Sequence, residues 1–342
     1  MTIIRFDSDE QRAKYAARVN PRYAALIAGV SAAQPLREDA GETAIIQRGL
    51  DYVQKQATEK AYAELRALQF VPVLSDVPVG ASTVTWVLKD RAGIATRTGG
   101  KGGDLPRGNI SLSENTTPIV NYGSEYAYTT AELRAFDYYN GQGRGPAINL
   151  DTARGEVAAE MIARKIDRVV GFGDTEDSRI KGFANNSNVT VSAATATWAT
   201  LTWEEMLDEL FQLANNPVTV SKEVFRPNAI LLPTAQWMLV STTYNSLGTK
   251  TVLELFNDAM RAQGRNISVE SWPLLATADA AGTGPRAISY VKDAEVVGAV
   301  VPFMFLAQPP QPRGLEWVIP CEGACGGAIV KQPLGVYYRD GL

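Results

Sequence analysis

Histidine does not occur anywhere in the 342 residues. That removes Ser/His/Asp and Cys/His catalytic sets, His-ligated zinc, and any imidazole acid or base working near neutral pH. Carboxylate and lysine chemistry stay open, but most hydrolytic routes close. Cysteine is almost as scarce. Cys321 and Cys325 are the only two, set around Glu322, Gly323 and Ala324. That spacing suits neither a zinc knuckle nor a redox CxxC pair, so reduced structural thiols are expected. Long apolar runs are missing too: nowhere do about 18 apolar residues follow one another, the length a membrane helix needs. The opening MTIIRFDSDEQRAKYAARV carries charge throughout, with no apolar h-region and no small-residue cleavage site. No signal peptide is expected, and the chain should be cytosolic where it is made.

A basic field is absent as well. Net charge is -4 with a pI near 5.2, so any nucleic-acid contact must come from local patches, and sequence-specific DNA or RNA binding is disfavoured. What remains is ordinary soluble-protein material, 45% hydrophobic and 20% charged, neither disordered nor fibrous and free of repeats. Its length suffices for two or three compact subdomains.

Residues 1–66 read as an arm. Two helical stretches, 9–19 and 42–68, are polar or alanine-rich, with scattered apolar positions such as Ile45, Ile46, Leu50, Val53, Tyr62 and Leu65, and such helices need a surface to lie on. Asn20, Pro21, Gly29, Gln34 and Pro35 form a joint between them. From Phe70 the pattern becomes strand: FVPVLSDVPVG, then STVTWVLKD, in which Val84, Trp86 and Leu88 point one way and Thr83, Thr85 and Val87 the other. The glycine-rich AGIATRTGGKGGDLPRGN follows, too polar to pack a core. A second extended arm, NISLSENTTPIVNYGSEYAYT, returns with Val120, Tyr122, Tyr126 and Tyr128 on one face. Roughly 20 residues per arm would reach about 50 to 60 Å. A two-stranded ribbon alone is marginal in water, so its apolar faces need cover, and a neighbouring subunit is the expected cover.

The strongest helix runs from Asn149 or Asp151 to Val170. Ala158, Ile162, Ile166 and Val169 recur at helical spacing, acids lie early and bases late, and Glu160 and Arg164 form an i, i+4 pair. It should be about 30 Å long and stop at GFGD. The segment 182–308 reads as a mixed α/β domain. Thr202 and Glu205 suit a capping box for a helix over Met206, Leu207, Leu210, Phe211 and Leu213. AILL is a buried strand, Thr234 opens a short helix, and another uses Val252, Leu253, Phe256, Ala259 and Met260 with Gly264 to end it. NISVESW, RAISYV and VVGAVVPFMFL supply strands, and the terminal stretch 315–342 is expected to return to the strands near residue 70.

Three motifs carry little. GQGRG at 141–145 lacks the GxGxxG spacing, GTKT at 248–251 lacks the Gly-Lys pair of a P-loop, and GDTEDS at 173–178 lacks calcium-loop spacing, so each reads as a turn.

The order of these elements, with the run from FVPV through Asp90 and Gly93 to DLP and the tyrosine-rich return YGSEYAYT, resembles the major capsid proteins of tailed bacteriophages with the Hong Kong 97-like fold. The likeness covers residues 40–342. It implies an α+β fold with an N-terminal arm (1–66), an extended β loop (82–128), a peripheral domain (67–81, 129–181 and 309–342) with a spine helix near 149–170, and an axial α/β domain (182–308). It implies, too, a virion protein assembled in the bacterial host cytoplasm. Pentamers and hexamers would close an icosahedral shell around double-stranded DNA, with scaffolding, portal and in some cases decoration proteins as partners. No cofactor, metal or membrane is expected.

On that reading Trp86, Lys89, Arg91, Arg97, Lys101, Asp104, Arg107, Tyr122 and Tyr126 would contact a neighbouring subunit, the charges setting register against groups of opposite sign. A solvated loop is the plainer alternative. Some shells of this fold join a loop lysine to a neighbour's asparagine, and Lys101 is the tip lysine, but no acidic catalyst can be picked from the sequence. Arg12, Lys14, Arg18 and Arg22 could face packaged DNA through phosphates, or a scaffold protein, or solvent. Two other functions remain to be weighed: an encapsulin-like nanocompartment shell, and a carboxylate-based hydrolase such as a glycosidase, for which no acid pair can be named.

Overall fold

The computed structural model describes residues 60, 62–96, 107–141 and 150–342, all of them in one compact unit. The arm helices expected at 9–19 and over 42–59 lie outside the described residues. In chain order the described elements begin with a four-residue helix α1 (Ala67–Phe70), strands β1 (Thr83–Ala92), β2 (Asn109–Pro118) and β3 (Val120–Thr129), helix α2 (Thr130–Gly141) and helix α3 (Leu150–Phe172). There follow β4 (Thr190–Ala193), α4 (Trp203–Val220), β5 (Ala229–Leu232), α5 (Thr234–Thr242), α6 (Val252–Ala262), β6 (Ser268–Ser271) and β7 (Arg286–Tyr290). The last six strands are β8 (Val297–Ala299), β9 (Phe303–Ala307), β10 (Gln311–Arg313), β11 (Glu316–Cys325), β12 (Ala328–Val330) and β13 (Val336–Asp340).

A five-stranded mixed sheet, ordered β4-β13-β7-β5-β6, is the centre of the body. Its strands alternate between two hydrophobic clusters, as a period of two requires. Ala229, Leu231, Ile288, Tyr290, Val336 and Tyr338 enter one cluster, together with Phe183, Trp272 and the inner face of α3. Ile230, Leu232, Ala287 and Tyr337 enter the other, against Leu210 and Leu213 of α4 and Phe256 and Met260 of α6. AILL is a continuous apolar run because both its faces are buried. The helices beneath the sheet start as their sequences dictate. Thr202 and Glu205 make a capping box on α4, and Thr251 and Glu254 make a second on α6.

The C-terminal strand is welded into this sheet by charge. Arg339 and Glu209 form an ion pair at 2.5 Å with 5% and 3% of their side chains exposed. Arg286 and Asp340, partners in register, pair at 2.6 Å, and the Arg286 guanidinium lies over the Tyr338 ring. Tyr338 donates its hydroxyl to the Phe183 carbonyl.

Helix α3 packs on a second sheet in which β3 and β11 pair antiparallel over ten residues, with β9 and β10 along the other edge of β11. Ala158, Ile162, Ile166 and Val169 are its buried face, as their spacing requires. Gly323 of β11 permits the close approach: a Cβ there would stand 2.5 Å from the Met304 carbonyl and 2.7 Å from the Ile162 side chain. The helix stops at Gly173, whose φ of +81° an L side chain rarely adopts.

Three expectations need correction, and one element was not foreseen. FVPVLSDVPVG is not a strand, since only Val73 makes a bridge, to Ala299; its prolines and turns break any ladder. Residues 62–66 are not helical, and helix begins only at Ala67. The terminal stretch does not return to residue 70 as a unit, because β11 pairs with β3 and β13 runs through the middle of the five-stranded sheet. Residues 336–340 therefore share a sheet with strands of the 182–308 segment, while Val336 and Tyr338 also enter the cluster that holds the inner face of α3. Helix α2 was not expected, although Thr129 and Glu132 exchange hydrogen bonds at its start, Glu132 N–H to Thr129 Oγ1 at 3.1 Å and Thr129 N–H to Glu132 Oε2 at 3.0 Å.

Candidate functional site

Strands β1 and β2 form a sheet of their own, ten antiparallel rungs from Thr83↔Pro118 to Ala92↔Asn109. Ten residues at about 3.3 Å give a paired length of about 33 Å, shorter than the expected reach because the return strand divides at Ile119. Its first half, β2, stays in the ribbon; its second half, β3, turns into the body. Residues 97–106 of the tip lie outside the described residues.

The ribbon has two unlike faces. Val84, Trp86 and Leu88 are half-buried on one of them. Trp86 and Asn115 line a cavity of about 140 Å³ whose other wall is Lys181, Asn188 and Ile329 of the body. The opposite face places Val87 across from Glu114, Lys89 across from Leu112, and Arg91 across from Ile110. There Val87 is 53%, Ile110 54% and Leu112 65% exposed. Three aliphatic side chains on a two-stranded sheet with water on that side are a cost unless something covers them. Sequence alternation identified the Trp86 face and missed this one, although Ile110 and Leu112 alternate with Asn109, Ser111 and Ser113 in NISLS.

The expected contact residues divide. Trp86, Lys89, Arg91 and Arg107 are on or beside the ribbon, the last three exposed. Arg97, Lys101 and Asp104, and the arm residues Arg12, Lys14, Arg18 and Arg22, lie outside the described residues. Tyr122 and Tyr126 sit on β3, half-buried against the α3 core of their own protomer. Tyr122 donates to Asp174 Oδ2 at 2.7 Å. Burial and that carboxylate push its phenol far up. Burial pushes Asp174 up as well, but the Tyr122 hydroxyl, the Glu176 N–H and Lys165 outweigh it and hold the acid below its usual range. Tyr126 is raised by burial and by Asp151 at the start of α3. Both tyrosines therefore brace β3 against α3 within one chain, and the GDTEDS turn is anchored by a buried Asp174 instead of being fully solvated.

Among the described residues no group of three or more Cys, Asp or Glu could hold a metal ion, and no helix is long and apolar enough to cross a membrane. Cys321 and Cys325 are buried and unbonded to each other, and burial pushes the Cys325 thiol up to about 12, away from reactive thiolate. A cleft of about 750 Å³ lies between residues 62–65, α3 and Trp272. Its buried acid, Asp167, accepts the Ala67 N–H at 2.8 Å and so serves the junction of α1 with α3.

No curated protein sequence is significantly similar to the chain. Solved structures are. The capsid of Myoviridae phage XM1 matches with a TM-score of 0.74 at 18% identity, covering 86% of this chain and 98% of that one. The capsid of a native GTA particle matches at 0.59 and 12% identity, over 90% and 99% of the two chains. A chain of Mycobacterium phage Adephagia matches at 0.58 and 11% identity, over 87% and 92%. At these identities the likeness establishes the phage capsid fold. The sequence itself matches the family model described as Major capsid protein over residues 91–342, from the end of β1 to the last residue. Because that match spans well over half of the sequence and the fold agrees with it, the chain belongs to the major capsid protein family, a structural protein of the virion shell and not an enzyme.

Proposed function

We propose that the chain closes an icosahedral shell of pentamers and hexamers around double-stranded DNA, and that the β1–β2 ribbon is the element by which one copy engages the next. The observation that carries this reading is the ribbon's outer face, where Val87, Ile110 and Leu112 are more than half exposed on a sheet no other strand joins among the described residues. Self-association supplies their cover. Trp86 anchors the ribbon's base, while Lys89, Arg91 and Arg107, continued by Arg97, Lys101 and Asp104, set register by charge. In the Hong Kong 97-like scheme the ribbon is the extended loop, bounded at Thr83 and Pro118 instead of 82–128. Helix α3 is the spine of a peripheral domain that includes the β3/β11 sheet, the five-stranded sheet with α4 to α6 is the axial domain, and residues 1–66 are the arm. Arg12, Lys14, Arg18 and Arg22 face packaged DNA or a scaffolding protein. Assembly takes place in the host cytoplasm, with scaffolding and portal proteins as partners and a decoration protein as a further one.

Electron microscopy and light scattering of the purified protein test this. Closed particles or discrete rings of five and six copies are expected, and particles from infected cells should hold nuclease-protected DNA. A small closed oligomer, or shells filled with a protein cargo and no DNA, would contradict it.

A further inference from the structure

The cavity of about 140 Å³ at the seam between the ribbon's base and the body has an unusual lining: it is rich in hydrogen-bond donors, and no carboxylate is among the described residues that form it. Trp86 and Asn115, opposite one another on a rung, and Thr117, across from Val84, come from the ribbon. Lys181, Asn186 and Asn188 come from the loop after α3. The side chains of Lys181, Trp86, Asn115 and Asn188 make no hydrogen bond or ion pair among the described residues. Arg179, the other cation at this seam, is held by Asp177 at 2.7 Å, so Lys181 is the cation there without a counter-charge. Asn186 is 8% exposed. Its Oδ1 accepts the Asn188 N–H at 3.0 Å, which leaves Nδ2, a donor, as the end of the amide with no protein partner among the described residues. The body wall is rigid where it matters. Lys181 bridges to Gly173, and its carbonyl accepts the Ala328 N–H at 2.9 Å.

Size and chemistry together define the ligand class. A volume of about 140 Å³ equals roughly four to five waters at about 30 Å³ each, well below the ~300 Å³ at which sites for nucleotide-sized ligands begin. One cation and several neutral donors with no acid between them suit a single small anion. Because the donors stand on two facing walls, an ion with oxygens in every direction meets more of them than a planar carboxylate does. We propose that this cavity binds one tetrahedral oxyanion of the phosphate and sulfate class, and that the ion fastens the ribbon's base to its own body. Lys181 supplies the charge. Asn186 and Asn188 donate from the body, Trp86 and Asn115 from the ribbon, so a ribbon that swings off the body gives up half of the ion's hydrogen bonds. The site goes beyond the shell reading and does not depend on it, since every residue involved belongs to one chain.

Inorganic phosphate is the probe, added to the full chain at pH 7 with ionic strength held constant by sodium chloride. Acetylation of lysines by an amine-reactive reagent, read by peptide mass spectrometry, reports the site directly. Saturating phosphate should slow labelling of Lys181 by about tenfold, as two charge-assisted hydrogen bonds from one ammonium would, and leave Lys292, exposed elsewhere, unchanged. Acetate at the same concentration should protect Lys181 far less. Amide hydrogen exchange over residues 83–88 and 113–118 should slow with phosphate as the ribbon's base is pinned. Lys181→Gln, and separately Asn188→Asp, which sets a like charge in the wall, should abolish the exchange response, with thermal midpoints in chloride showing that each variant is folded. Equal labelling of Lys181 with and without phosphate overturns the proposal, and so does a phosphate response that survives both substitutions. Acetate protecting as well as phosphate overturns the tetrahedral assignment. The wild-type labelling result carries the answer even where a variant fails to fold.

Discussion

The body and the ribbon of this protein satisfy opposite requirements. In the body the central layer is closed within one chain: the five-stranded sheet lies between two hydrophobic clusters, and the charges that enter it are paired, Arg339 with Glu209 and Arg286 with Asp340. The ribbon closes its backbone and half-buries the Trp86 side, but not its other face. Its hydrogen bonds run along ten rungs, yet Val87, Ile110 and Leu112 remain in water. A domain that stands alone has no use for such a face. On the proposed reading one part of the sequence serves folding and the other meets a neighbour, and substitutions in the two parts should be felt by different measurements.

The largest effect on the protomer is expected from deleting residues 336–342. This removes the strand between β4 and β7 together with Tyr338, Arg339 and Asp340, and circular dichroism should show no cooperative unfolding transition. Glu209→Ala comes next. It leaves Arg339 buried without its counter-charge, at an expected cost of about 3–5 kcal/mol in denaturant unfolding. The same pair sets an acid limit. Burial raises Glu209, but Arg339 and Thr195 outweigh it and hold the carboxyl below its usual range. Its stabilisation is therefore complete above the usual glutamate range and is lost as pH falls through the depressed value, so stability should decline below about pH 4. Glu209→Gln should flatten that decline.

Asp167 has the opposite sign and a smaller effect. Burial pushes its carboxyl up, only partly offset by the Ala67 N–H. Its ionised form costs stability at neutral pH, and the cost disappears as pH falls below about 4, where the unfolded chain also binds the proton. Asp167→Asn keeps an acceptor for Ala67, and a small rise in thermal midpoint at pH 7 that vanishes in acid is expected. Smallest of all for the protomer is Val87→Ser/Ile110→Ser/Leu112→Ser, within about 0.5 kcal/mol of wild type in unfolding of the body. Particle yield should nevertheless fall sharply in sedimentation. A large loss of protomer stability from this variant would break the contrast between ribbon and body.

Much of the body was legible because period and capping are local. The inner face of α3, the capping box at Thr202 and Glu205, the buried AILL strand and the αL glycine after α6 all follow from a few neighbouring residues. What escaped was partner choice between distant strands. YGSEYAYT reads as the returning arm of a ribbon, and nothing local says that it leaves β1 at Ile119 to join β11 some 200 residues later. The place of β13 depends likewise on Arg286 and Glu209, which no pattern within VYYRD reveals. The ribbon's exposed face was hidden for a different reason. Attention to the face that Trp86 marks treats alternate residues as solvent-facing, and in a protein completed by its copies the solvent-facing side can be the apolar one.

An electron-microscopy map of the assembled particle, resolved well enough to trace β1 and β2, decides between a ribbon covered by a neighbour and a ribbon left in water. Density for residues 83–92 and 109–118 should cross onto an adjacent subunit, with Leu112 and Ile110 out of solvent. A ribbon folded down on its own protomer, with those side chains free of any second copy, would contradict the division of labour argued here.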